Sequence, residues 1–533
     1  MKLDAKSVIE TGKAILGIEF GSTRIKAVLI DPENKPIAQG SHTWENQLID
    51  GLWTYSVEAI WYGLQDCYAD LRNNVKEKYD IEIESLAAIG ISAMMHGYMA
   101  FNNKEEILVP FRTWRNTNTG KAASALSKLF VYNIPLRWSI SHLYQAILDD
   151  EPHVKDISFI TTLAGFVHWQ ITGKKVIGIG DASGMLPIDP ETKNYNAEMV
   201  KKFEKLIAPK NYKWKLTNIL PKVLLAGEDA GTLTPEGAKR LDVSGHLKAG
   251  IPLCPPEGDA GTGMVATNSV KQRTGNVSAG TSSFSMIVLE KDLSKPYEMI
   301  DMVTTPDGSL VAMVHCNNCT SDINAWVNIF KEYQELIGVP VTDIDELYAK
   351  LYKHALTGSP NCGGIISYNY FSGEPVTGLA EGRPLLVRSP NDKFTLANFM
   401  RANLYAAVAV LKIGNDILLK KEKIKVDKIT GHGGLFKTKG VGQRILAAAL
   451  NSPISVMETA GEGGAWGIAL LASYLVNNVK KQSLAYFLDE FVFGNDAGVE
   501  ISPIAEDVEG FNNYIETYKA ALPIEQAAVK NKK

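Results

Sequence analysis

The sequence predicts an α/β protein of two similar halves. Residues 14–43 contain three short alternating apolar segments separated by turns, which predicts three antiparallel strands. A helix-like stretch follows over 57–78, and an apolar strand follows over 86–92. This order is not the beginning of a simple parallel sheet made of βαβ units.

The strand–turn–strand pattern at the start of the chain recurs near its middle. The segment 275–289 repeats the opening alternation, so that Gly21, Ser22 and Thr23 correspond to Gly280, Thr281 and Ser282. Turns of Gly, Ser and Thr also resemble one another by chance, but each copy stands near the start of one half of the chain. Three strands, a helix and a strand are typical of one lobe of an actin-like (ribonuclease H-like) ATPase. We therefore predict two such lobes, 1–252 and 253–533.

Alternating helices and strands continue through the second half. The predicted elements are strands over 311–315 and 453–457, helices over 321–336, 394–420, 441–450 and 463–476, and a strand that ends before Gly431. From about residue 480 no motif is readable, so we expect a carboxy-terminal extension that ends in a solvated tail, "VKNKK".

Length, charge and cysteine content limit the class of protein. The 533 residues suggest two to four domains, and a composition of 45% hydrophobic and 21% charged residues is that of a soluble globular protein. The net charge of -4 gives no basic excess, so we expect no nucleic-acid partner. Five scattered cysteines favour a cytoplasmic location. We expect no signal peptide, because the first residues are charged and lack an apolar core, and no membrane span, because the longest apolar run, 465–476, is too short. A homodimer is left open.

The two glycine-containing turns are candidates for binding phosphate. Backbone amides at such a tip can converge on an anion when no Cβ blocks them, and two facing tips would bind a polyphosphate from both sides. Glu19 precedes the first tip and could hold Mg²⁺ against those phosphates. The alternative is a strand-edge glutamate that points to solvent, and the alternation allows either.

A third glycine cluster, "GHGG" at 431–434, lies between a predicted strand and a helix. Such a loop allows close approach of a nucleotide base or ribose, although strand-to-helix turns often need glycine for ordinary reasons. Neither GxGxxG at this loop nor GxxxxGK[ST] anywhere is present, so a dinucleotide fold and a P-loop are not supported.

Asp259 and His96 are the candidate catalytic and substrate-binding residues. Asp259 follows two prolines and lies between two glycines, a turn that would display its carboxylate to accept a proton from a substrate hydroxyl. It could equally cap the helix that follows. His96 ends a core strand and could donate to a sugar hydroxyl, with Met95 against the carbon skeleton and Trp114 over an apolar face; alternatively it is a packed histidine.

Cys316 and Cys319 have the CxxC spacing. With His315 they offer at most three metal ligands, and no second pair of cysteines completes a tetrahedral site. We therefore expect neither a metal nor a redox role for them.

The order of these motifs resembles that of the FGGY carbohydrate kinases, most closely their xylulokinase-like branch. The matching segments, spread over about 14–477, are "EFGST" at 19–23, "MHG" at 95–97, "WRN" at 114–116, "DASG" at 181–184, "GDAGTG" at 258–263, "SAGTSS" at 278–283, "YFSGE" at 370–374 and "GHGG" at 431–434. The resemblance implies two actin-like lobes with a nucleotide and sugar cleft between them, the first carrying most of the sugar site and the second the ATP site.

The resemblance also implies cofactors and site residues. The cofactors are ATP and Mg²⁺, and Asp259 is the catalytic base. The implied sugar-binding residues are Met95, His96, Gly97, Trp114, Asn116 and Asp259; the implied ATP-binding residues are Gly21, Ser22, Thr23, Lys26, Gly280, Thr281, Ser282, Gly433 and Gly434; and the implied metal ligands are Glu19 and Asp259.

Two positions depart from the family pattern. Glu19 stands where the family has an aspartate, and Asn116 stands where the Trp-x-Asp segment has its carboxylate. We expect an ATP-dependent kinase of a small sugar, with a ketopentose such as xylulose or ribulose as the substrate. The alternatives are another ketose or polyol kinase of the same family, or a nucleotide-binding sugar sensor; the two departures favour the sensor, and the retained Asp259 favours the enzyme.

Overall fold

The computed structural model describes residues 4–457, 463–478, 480–494 and 498–531. The chain divides into two compact units. The first comprises Met1–Val270, Met302–Val311 and Glu462–Gly494, and the second comprises Lys271–Asp301, Ala312–Gly461 and Asn495–Lys533. Each unit therefore contains three separate segments of the chain, and no single boundary near residue 252 divides them.

The described residues form short strands and longer helices. The strands are β1 (Ile15–Phe20), β2 (Arg24–Ile30), β3 (Pro36–Thr43), β4 (Gln47–Ile49), β5 (Leu52–Thr54), β6 (Ala88–Ala93), β7 (Met99–Phe101), β8 (Phe159–Thr161), β9 (Val176–Gly178), β10 (Ile188–Asp189), β11 (Asn194–Tyr195), β12 (Lys222–Leu224), β13 (Glu257–Gly258), β14 (Thr274–Ala279), β15 (Ser283–Val288), β16 (Asp301–Thr304), β17 (Leu310–Cys316), β18 (Ile366–Tyr368), β19 (Leu385–Val387), β20 (Lys428–His432), β21 (Ile454–Val456) and β22 (Val499–Ile501). The helices are α1 (Ala5–Glu10), α2 (Val57–Tyr79), α3 (Gly120–Phe130), α4 (Ser139–Leu148), α5 (Leu163–Thr172), α6 (Ile179–Ala182), α7 (Ala197–Ile207), α8 (Leu216–Ile219), α9 (Pro235–Leu241), α10 (Asp259–Ala266), α11 (Ser321–Leu336), α12 (Ile344–Ala355), α13 (Leu396–Asp416), α14 (Val441–Leu450), α15 (Gly463–Asn477), α16 (Leu484–Phe487) and α17 (Ala505–Asn531).

The two main sheets share one topology. The first has the order β13-β6-β1-β2-β3, and the second has the order β16-β17-β15-β14-β20-β21-β22. In each, the strand before the glycine turn pairs antiparallel with the strand after it and parallel with a later strand: β1 with β2 and β6, and β14 with β15 and β20. The order β21-β20-β14-β15-β17 thus repeats β13-β6-β1-β2-β3, which confirms the internal repeat and the two-lobe α/β prediction.

Both predicted hairpins are present with tight tips. The N–H of Gly21 donates to the carbonyl of Arg24 at 3.0 Å, and that of Gly280 donates to the carbonyl of Ser282 at 2.9 Å. The predicted helix over 57–78 is α2, and the helices predicted over 321–336 and 441–450 begin and end as predicted. Apolar periodicity located these elements because each has one buried face.

Helix α15 packs across the first sheet at two strand glycines. A Cβ on Gly17 would lie 2.1 Å from the carbonyl oxygen of Ala465, and one on Gly90 would lie 2.6 Å from the side chain of Ile468. A larger residue at either position would push the helix off the sheet. These glycines therefore let a helix from the end of the chain cover strands from its start.

Residues 253–270 belong to the first unit because of β13. Glu257 and Gly258 pair in parallel with Ser92 and Ala93 of β6, which adds a strand to the first sheet. Chain order, on which the boundary at 252 was based, does not carry this information.

The carboxy-terminal extension is a packed part of the second unit, although Lys530 and Asn531 of the predicted tail are exposed. The last segment forms β22, which pairs with β21, and then α17, which continues through Asn531; Lys532 and Lys533 lie outside the described residues. Phe511, Tyr514 and Tyr518 of α17 are fully buried. The helix is held because its aromatic face covers apolar surface of the second unit.

A buried ion cluster joins α17 to two other helices. Asp507 accepts hydrogen bonds from Arg401 of α13 at 2.6 Å and from Arg444 of α14. Arg401 and Asp507 are 1% and 2% exposed. A guanidinium this deeply buried needs its carboxylate partner.

Among the described residues, one helical segment is long and apolar enough to cross a membrane. It spans Leu396–Lys421, and 83% of its most apolar window is buried within the protein. Such a segment is weak evidence for a membrane span, because the core helix of a soluble protein has the same length and composition.

Replacing Asp507 with Ala should strongly destabilise the second unit. The change leaves the guanidinium of Arg401 buried without its partner, which should lower the free energy of unfolding by about 3–5 kcal/mol. Urea denaturation monitored by circular dichroism measures this. Glu516→Gln, which removes an exposed ion pair with Lys519 on the same helix, should change the free energy by less than about 1 kcal/mol. Equal effects of the two changes would contradict the prediction.

Candidate active site

In the first unit, three strand ends bring distant residues to one edge of the sheet. The parallel register places Phe20 of β1 and Gly258 of β13 beside Ala93 of β6. The next residues are the first glycine turn, Met94–Met95–His96 and Asp259. Ligands of α/β sheets bind at the carboxyl ends of strands, so this edge is the candidate substrate site.

Asp259 is oriented by the turn that carries His96. Its Oδ1 accepts a hydrogen bond of 3.0 Å from the backbone N–H of Met95. Asp259 is also the first residue of α10, where backbone N–H groups favour a carboxylate. Both sequence interpretations of this residue are thus compatible with its position: it lies at a helix start and its carboxylate is at the site.

His96 lies in a strained turn that depends on a nearby glycine. His96 and Gly97 have φ angles of +73° and +96°. The His96 ring is buried, lies 6.4 Å from Trp138 between ring centroids, and has Nδ1 3.4 Å from the carbonyl oxygen of Gly184. A Cβ on Gly184 would lie 2.5 Å from Nδ1 and 2.8 Å from Cε of Met95. The glycine of "DASG" therefore makes room for both predicted substrate residues.

Four carboxylates crowd this edge. Burial raises the pKa of Asp259; burial together with the charge of Asp259 raises the pKa of Glu19 to about 7 and that of Asp181 to about 7. Burial and Asp181 raise the pKa of Glu257 to about 8. Each ionised carboxylate disfavours the next, because the site is poorly solvated. A bound cation would lower the electrostatic cost of ionising them.

Two of these carboxylates, Asp181 and Glu257, were not predicted as site residues from the sequence. The Asp181 side chain accepts a hydrogen bond of 2.6 Å from the Thr162 hydroxyl, while its Oδ1 has no protein partner. Glu257 accepts from the backbone N–H groups of Gly180 and Asp181 at 3.2 and 2.9 Å. The sequence signals for this pair are the matched "DASG" segment, which begins with Asp181, and the position of Glu257 directly before the matched "GDAGTG".

Glu19 lies against the start of α15. A Cβ on Gly464 would be 2.1 Å from its Oε1, and the backbone of Ala465 forms a hydrogen bond with its carboxylate. Lys26 stands opposite Glu19 in the β1–β2 hairpin. Among the described residues no group of three or more His, Cys, Asp and Glu side chains forms a metal site. The metal role of Glu19 and Asp259 therefore stays a prediction.

The first glycine turn is held by aromatic side chains. Trp114 donates its indole N–H to the Ser22 hydroxyl at 3.2 Å, Tyr55 donates to the carbonyl of Ser22 at 2.6 Å, and Trp44 donates to the carbonyl of Gly21 at 2.7 Å. Trp114 was predicted to cover the sugar, whereas Trp44 and Tyr55 were missed because no spacing connects them to the turn. These bonds keep the tip in one conformation.

The Asn116 side chain is committed to backbone groups. Its amide nitrogen donates to the carbonyls of Trp53 and Thr113 at 2.8 and 3.0 Å, and its oxygen accepts from the N–H of Trp53 at 2.9 Å. Both amide hydrogens are used, so a bond to a sugar would have to involve the remaining lone pair of the oxygen. Asn116 thus anchors the strand of Trp53 next to Trp114. An aspartate at this position could not donate the two hydrogen bonds to the carbonyls, because an ionised carboxylate only accepts.

The second unit contains a separate pocket of about 600 Å³. Its lining residues are Gly280, Thr281, Thr320, Asn324, Asp345, Tyr348, Ala349, Tyr352, Lys353, Gly434, Lys437, Thr438 and Lys439. Three predicted nucleotide residues, Gly280, Thr281 and Gly434, are among them. Ser282 and Gly433 adjoin the pocket in the chain; Gly433 has a φ of +100°, and its Cβ would lie 2.6 Å from the carbonyl oxygen of Ala279. The "GHGG" loop can approach the second hairpin only with glycine there.

The wall of this pocket was not predicted from sequence. Tyr348 and Tyr352 of α12 have ring centroids 5.8 Å apart, and Tyr348 donates its hydroxyl to Asn324 Oδ1 at 2.9 Å. Lys353, Lys437 and Lys439 add positive charge. Aromatic faces suit a base and lysines suit phosphates, which makes the pocket appropriate for a nucleotide.

The CxxC segment supports the second hairpin. The N–H groups of Cys319 and Thr320 donate to the carbonyls of Thr281 and Gly280 at 2.9 and 3.0 Å. Cys316 and Cys319 are fully buried, and burial raises the pKa of both thiols. Buried, protonated thiols are poor nucleophiles and poor metal ligands, so the segment acts by its backbone.

Glu374 of "YFSGE" also supports the CxxC segment, through hydrogen bonds to Asn317 and Asn318. Its Oε2 accepts from the N–H of Asn317 at 3.0 Å and from the side chain of Asn318 at 3.1 Å, while Oε1 has no partner. Burial raises the pKa of Glu374 from 4.5 to about 7.

Glu374→Gln should change how the stability of the second unit depends on pH. Between pH 4.5 and 7 the folded carboxyl keeps its proton while the unfolded one loses it, so the free energy of unfolding falls with rising pH by up to roughly 3 kcal/mol. Glutamine keeps an acceptor and has no charge, so this part of the slope should disappear and the variant should be more stable at pH 8. Thermal denaturation from pH 5 to 8 measures this, with exposed Glu332→Gln as control. If the free energy of unfolding of Glu374→Gln depended on pH as that of the unmodified protein does, the raised pKa of Glu374 would be contradicted.

Comparison with known proteins matches two consecutive parts of the chain to the two domains of one family. The model of the N-terminal domain of the FGGY family of carbohydrate kinases matches residues 14–265, and that of its C-terminal domain matches residues 275–476. Xylulose kinase of Escherichia coli (strain K12) is 20% identical over 288 residues, which are 53% of this chain and 55% of that protein. The match thus spans about half the length of this curated relative.

Several solved structures have the same fold. Gluconate kinase from Lactobacillus acidophilus has a TM-score of 0.79 at 18% identity, covering 98% of this chain and 100% of its own. Xylulose kinase from the same organism has a TM-score of 0.78 at 18% identity, with coverages of 97% and 99%. Plasmodium falciparum glycerol kinase with ADP has a TM-score of 0.74 at 15% identity, with coverages of 96% and 98%. From the two domain matches and the shared fold of two actin-like ATPase domains, we conclude that the chain belongs to the FGGY family of carbohydrate kinases.

Proposed function

We propose that this protein transfers the γ-phosphoryl group of ATP to a hydroxyl of a small sugar, and that the sugar is a ketopentose of the xylulose or ribulose kind. The observation that carries the proposal is the position of Asp259, whose carboxylate is bound by the N–H of Met95 beside His96. The relatives named xylulose kinase support the choice of sugar.

Asp259 acts as the general base. Its carboxylate takes the proton of the sugar hydroxyl while the hydroxyl oxygen bonds to the γ-phosphorus and the bond to the bridging oxygen of ADP breaks. Burial raises the pKa of Asp259, which makes the carboxylate a better proton acceptor than an exposed aspartate. Its hydrogen bond to Met95 orients it before the sugar binds.

His96 and Trp114 bind the sugar. The buried His96 ring offers a hydrogen bond to a hydroxyl, and the half-buried Trp114 offers an aromatic face to the carbon skeleton. The predicted sugar residues lie in the first unit, as does the first predicted phosphate turn, whereas the 600 Å³ pocket lies in the second unit. Substitutions in that pocket should therefore change nucleotide affinity and leave sugar affinity unchanged.

The residues present suit a magnesium ion at Glu19 and Asp259. The charge of Asp259 raises the pKa of Glu19, so two carboxylates that repel each other share this edge, and Mg²⁺ is commonly held by one or two carboxylates together with substrate phosphates. When bound, the ion would neutralise phosphate charge that develops during transfer.

A sugar sensor is the second candidate. Its support is that the Glu19 carboxylate already has a hydrogen bond with the backbone of Ala465 and that the Asn116 amide is occupied by backbone groups, so both departures have fewer atoms available to a ligand. A coupled ADP-release assay with MgATP and a panel of ketopentoses, ketohexoses, polyols and sugar acids separates the candidates. Turnover of one sugar supports the kinase and names its substrate, whereas sugar-dependent nucleotide binding without turnover supports the sensor.

Asp259→Asn should abolish transfer and preserve binding. The amide keeps an acceptor for the N–H of Met95 but cannot take a proton, so kcat should fall by about 10²–10⁴-fold. The affinity for ADP, measured by calorimetry, should stay within about twofold. Asp50→Asn, at an exposed turn of the same unit, is the control and should leave kcat unchanged. A fall in kcat of less than tenfold in Asp259→Asn would rule out the proposed base.

Gly184→Ala should weaken sugar use selectively. The added methyl group displaces the His96 ring and the Met95 side chain, and a displacement of about 1 Å at a positioning group can cost about a hundredfold in rate. The sugar KM should rise at least tenfold while the KM for ATP stays constant. Gly120→Ala places a methyl group in open space of the same unit and should change neither constant. A parallel rise of both constants would contradict the role given to Gly184.

A further inference from the structure

Four side chains form a closed network beneath the turn that carries His96. The Tyr98 hydroxyl lies 2.9 Å from Nε2 of His153, and Nδ1 of His153 lies 3.3 Å from Oε2 of Glu151. The same Glu151 oxygen accepts a short hydrogen bond from the guanidinium of Arg112. None of these residues belongs to a matched motif, except that Tyr98 directly follows "MHG".

The network closes on itself through the backbone. Tyr98 donates its N–H to the carbonyl of Arg112 at 2.9 Å, and Arg112 donates its N–H to the carbonyl of Tyr98 at 3.1 Å. The Arg112 guanidinium also lies 5.5 Å from the centroid of the Tyr98 ring. Tyr98 is therefore held at its backbone, at its ring and at its hydroxyl, two residues after His96.

Burial and charge give the network a defined hydrogen-bonding direction. Tyr98, Arg112 and His153 are buried, and hydrogen bonding by His153 and Arg112 lowers the pKa of Glu151 to about 2. An ionised Glu151 beside Nδ1 favours a proton on that nitrogen, which leaves Nε2 of His153 as the acceptor for the Tyr98 hydroxyl. In that tautomer the Tyr98 hydroxyl donates to Nε2 of His153.

The turn above the network needs such support. His96 and Gly97 are consecutive residues with positive φ angles, a conformation that persists for histidine only when the surroundings impose it. On the other side the Ser139 hydroxyl donates to the carbonyl of Gly97 at 2.6 Å, and the N–H of Gly97 donates to the carbonyl of Arg137 at 3.3 Å. The ion pair of Arg112 and Glu151 is expected to add little net stability, because desolvation offsets the attraction of its charges. Stability alone therefore does not account for the pair, which favours a role in positioning.

We propose that Tyr98, His153 and Glu151 are positioning residues that hold His96 in its sugar-binding conformation. The inference rests on the proposed function, since it assigns these residues to the sugar site of that reaction. The hydroxyl of Tyr98 has no direct part in chemistry; it acts through the turn. Loss of the network should therefore raise the sugar KM and leave nucleotide binding intact.

Tyr98→Phe tests the proposal with the smallest change. Loss of this one hydrogen bond should raise the sugar KM about fivefold or more, with the KM for ATP constant within twofold and a smaller change in kcat. The matched control is Tyr68→Phe: Tyr68 is a buried tyrosine of the same unit whose hydroxyl has no partner, so its loss should leave the sugar KM unchanged. Thermal denaturation of both variants shows whether either effect is merely structural.

Two changes at His153 give a second test. His153→Leu removes the acceptor for the Tyr98 hydroxyl and should raise the sugar KM as Tyr98→Phe does, whereas His153→Gln keeps an acceptor and should recover most of the affinity. Combining Tyr98→Phe with His153→Leu should add little to either change alone, because both break the same bond.

The outcomes separate this proposal from the proposed function. If the unmodified protein phosphorylates no sugar, the proposed function fails; sugar affinity measured by calorimetry then still tests the network. If the unmodified protein turns over a sugar and Tyr98→Phe leaves the sugar KM within twofold, the positioning role is overturned. Equal rises in the KM for sugar and ATP, or an effect of Tyr68→Phe as large as that of Tyr98→Phe, would also overturn it.

Discussion

The parallel pairing of β1, β6 and β13 is the constraint on which the substrate edge of the first unit depends. Phe20, Ala93 and Gly258 stand side by side in this register, so the residues that follow them come together although they lie far apart in the chain. The N–H of Met95 then reaches the carboxylate of Asp259. A shift of one residue in any of the three strands would turn these side chains to the opposite face of the sheet.

Close packing around that edge is possible because glycines occupy the contact points. Gly17 and Gly90 let α15 lie on the sheet, Gly184 leaves room for His96, and Gly464 leaves room for the Glu19 carboxylate. The same packing excludes water from four carboxylates and raises their pKa values. The structure thus concentrates carboxyl groups in a poorly solvated place, an arrangement that is unfavourable for folding and suitable for binding a cation or a hydroxyl proton.

The second unit uses the same sheet topology with different surroundings. Its glycine turn is supported by the CxxC segment and Glu374, and the pocket beside it is walled by Tyr348 and Tyr352. In the first unit the corresponding turn is supported by Trp44, Tyr55 and Trp114. A repeated hairpin has therefore acquired two kinds of support.

The class of fold, the repeated hairpin, several of the strands and helices, and the order of the motifs follow from the sequence alone. These are local properties: periodicity reports which face of each element is buried, and a motif reports residues adjacent in the chain. Three features became visible only in the tertiary structure: residues 253–270 join the first unit, α17 packs through its aromatic face, and the Asn116 amide binds backbone groups. The same holds for the tyrosines of the pocket and for the network of Tyr98, His153 and Glu151. Such contacts join residues tens to hundreds of positions apart, and the packing of whole elements, which no local pattern encodes, brings them together.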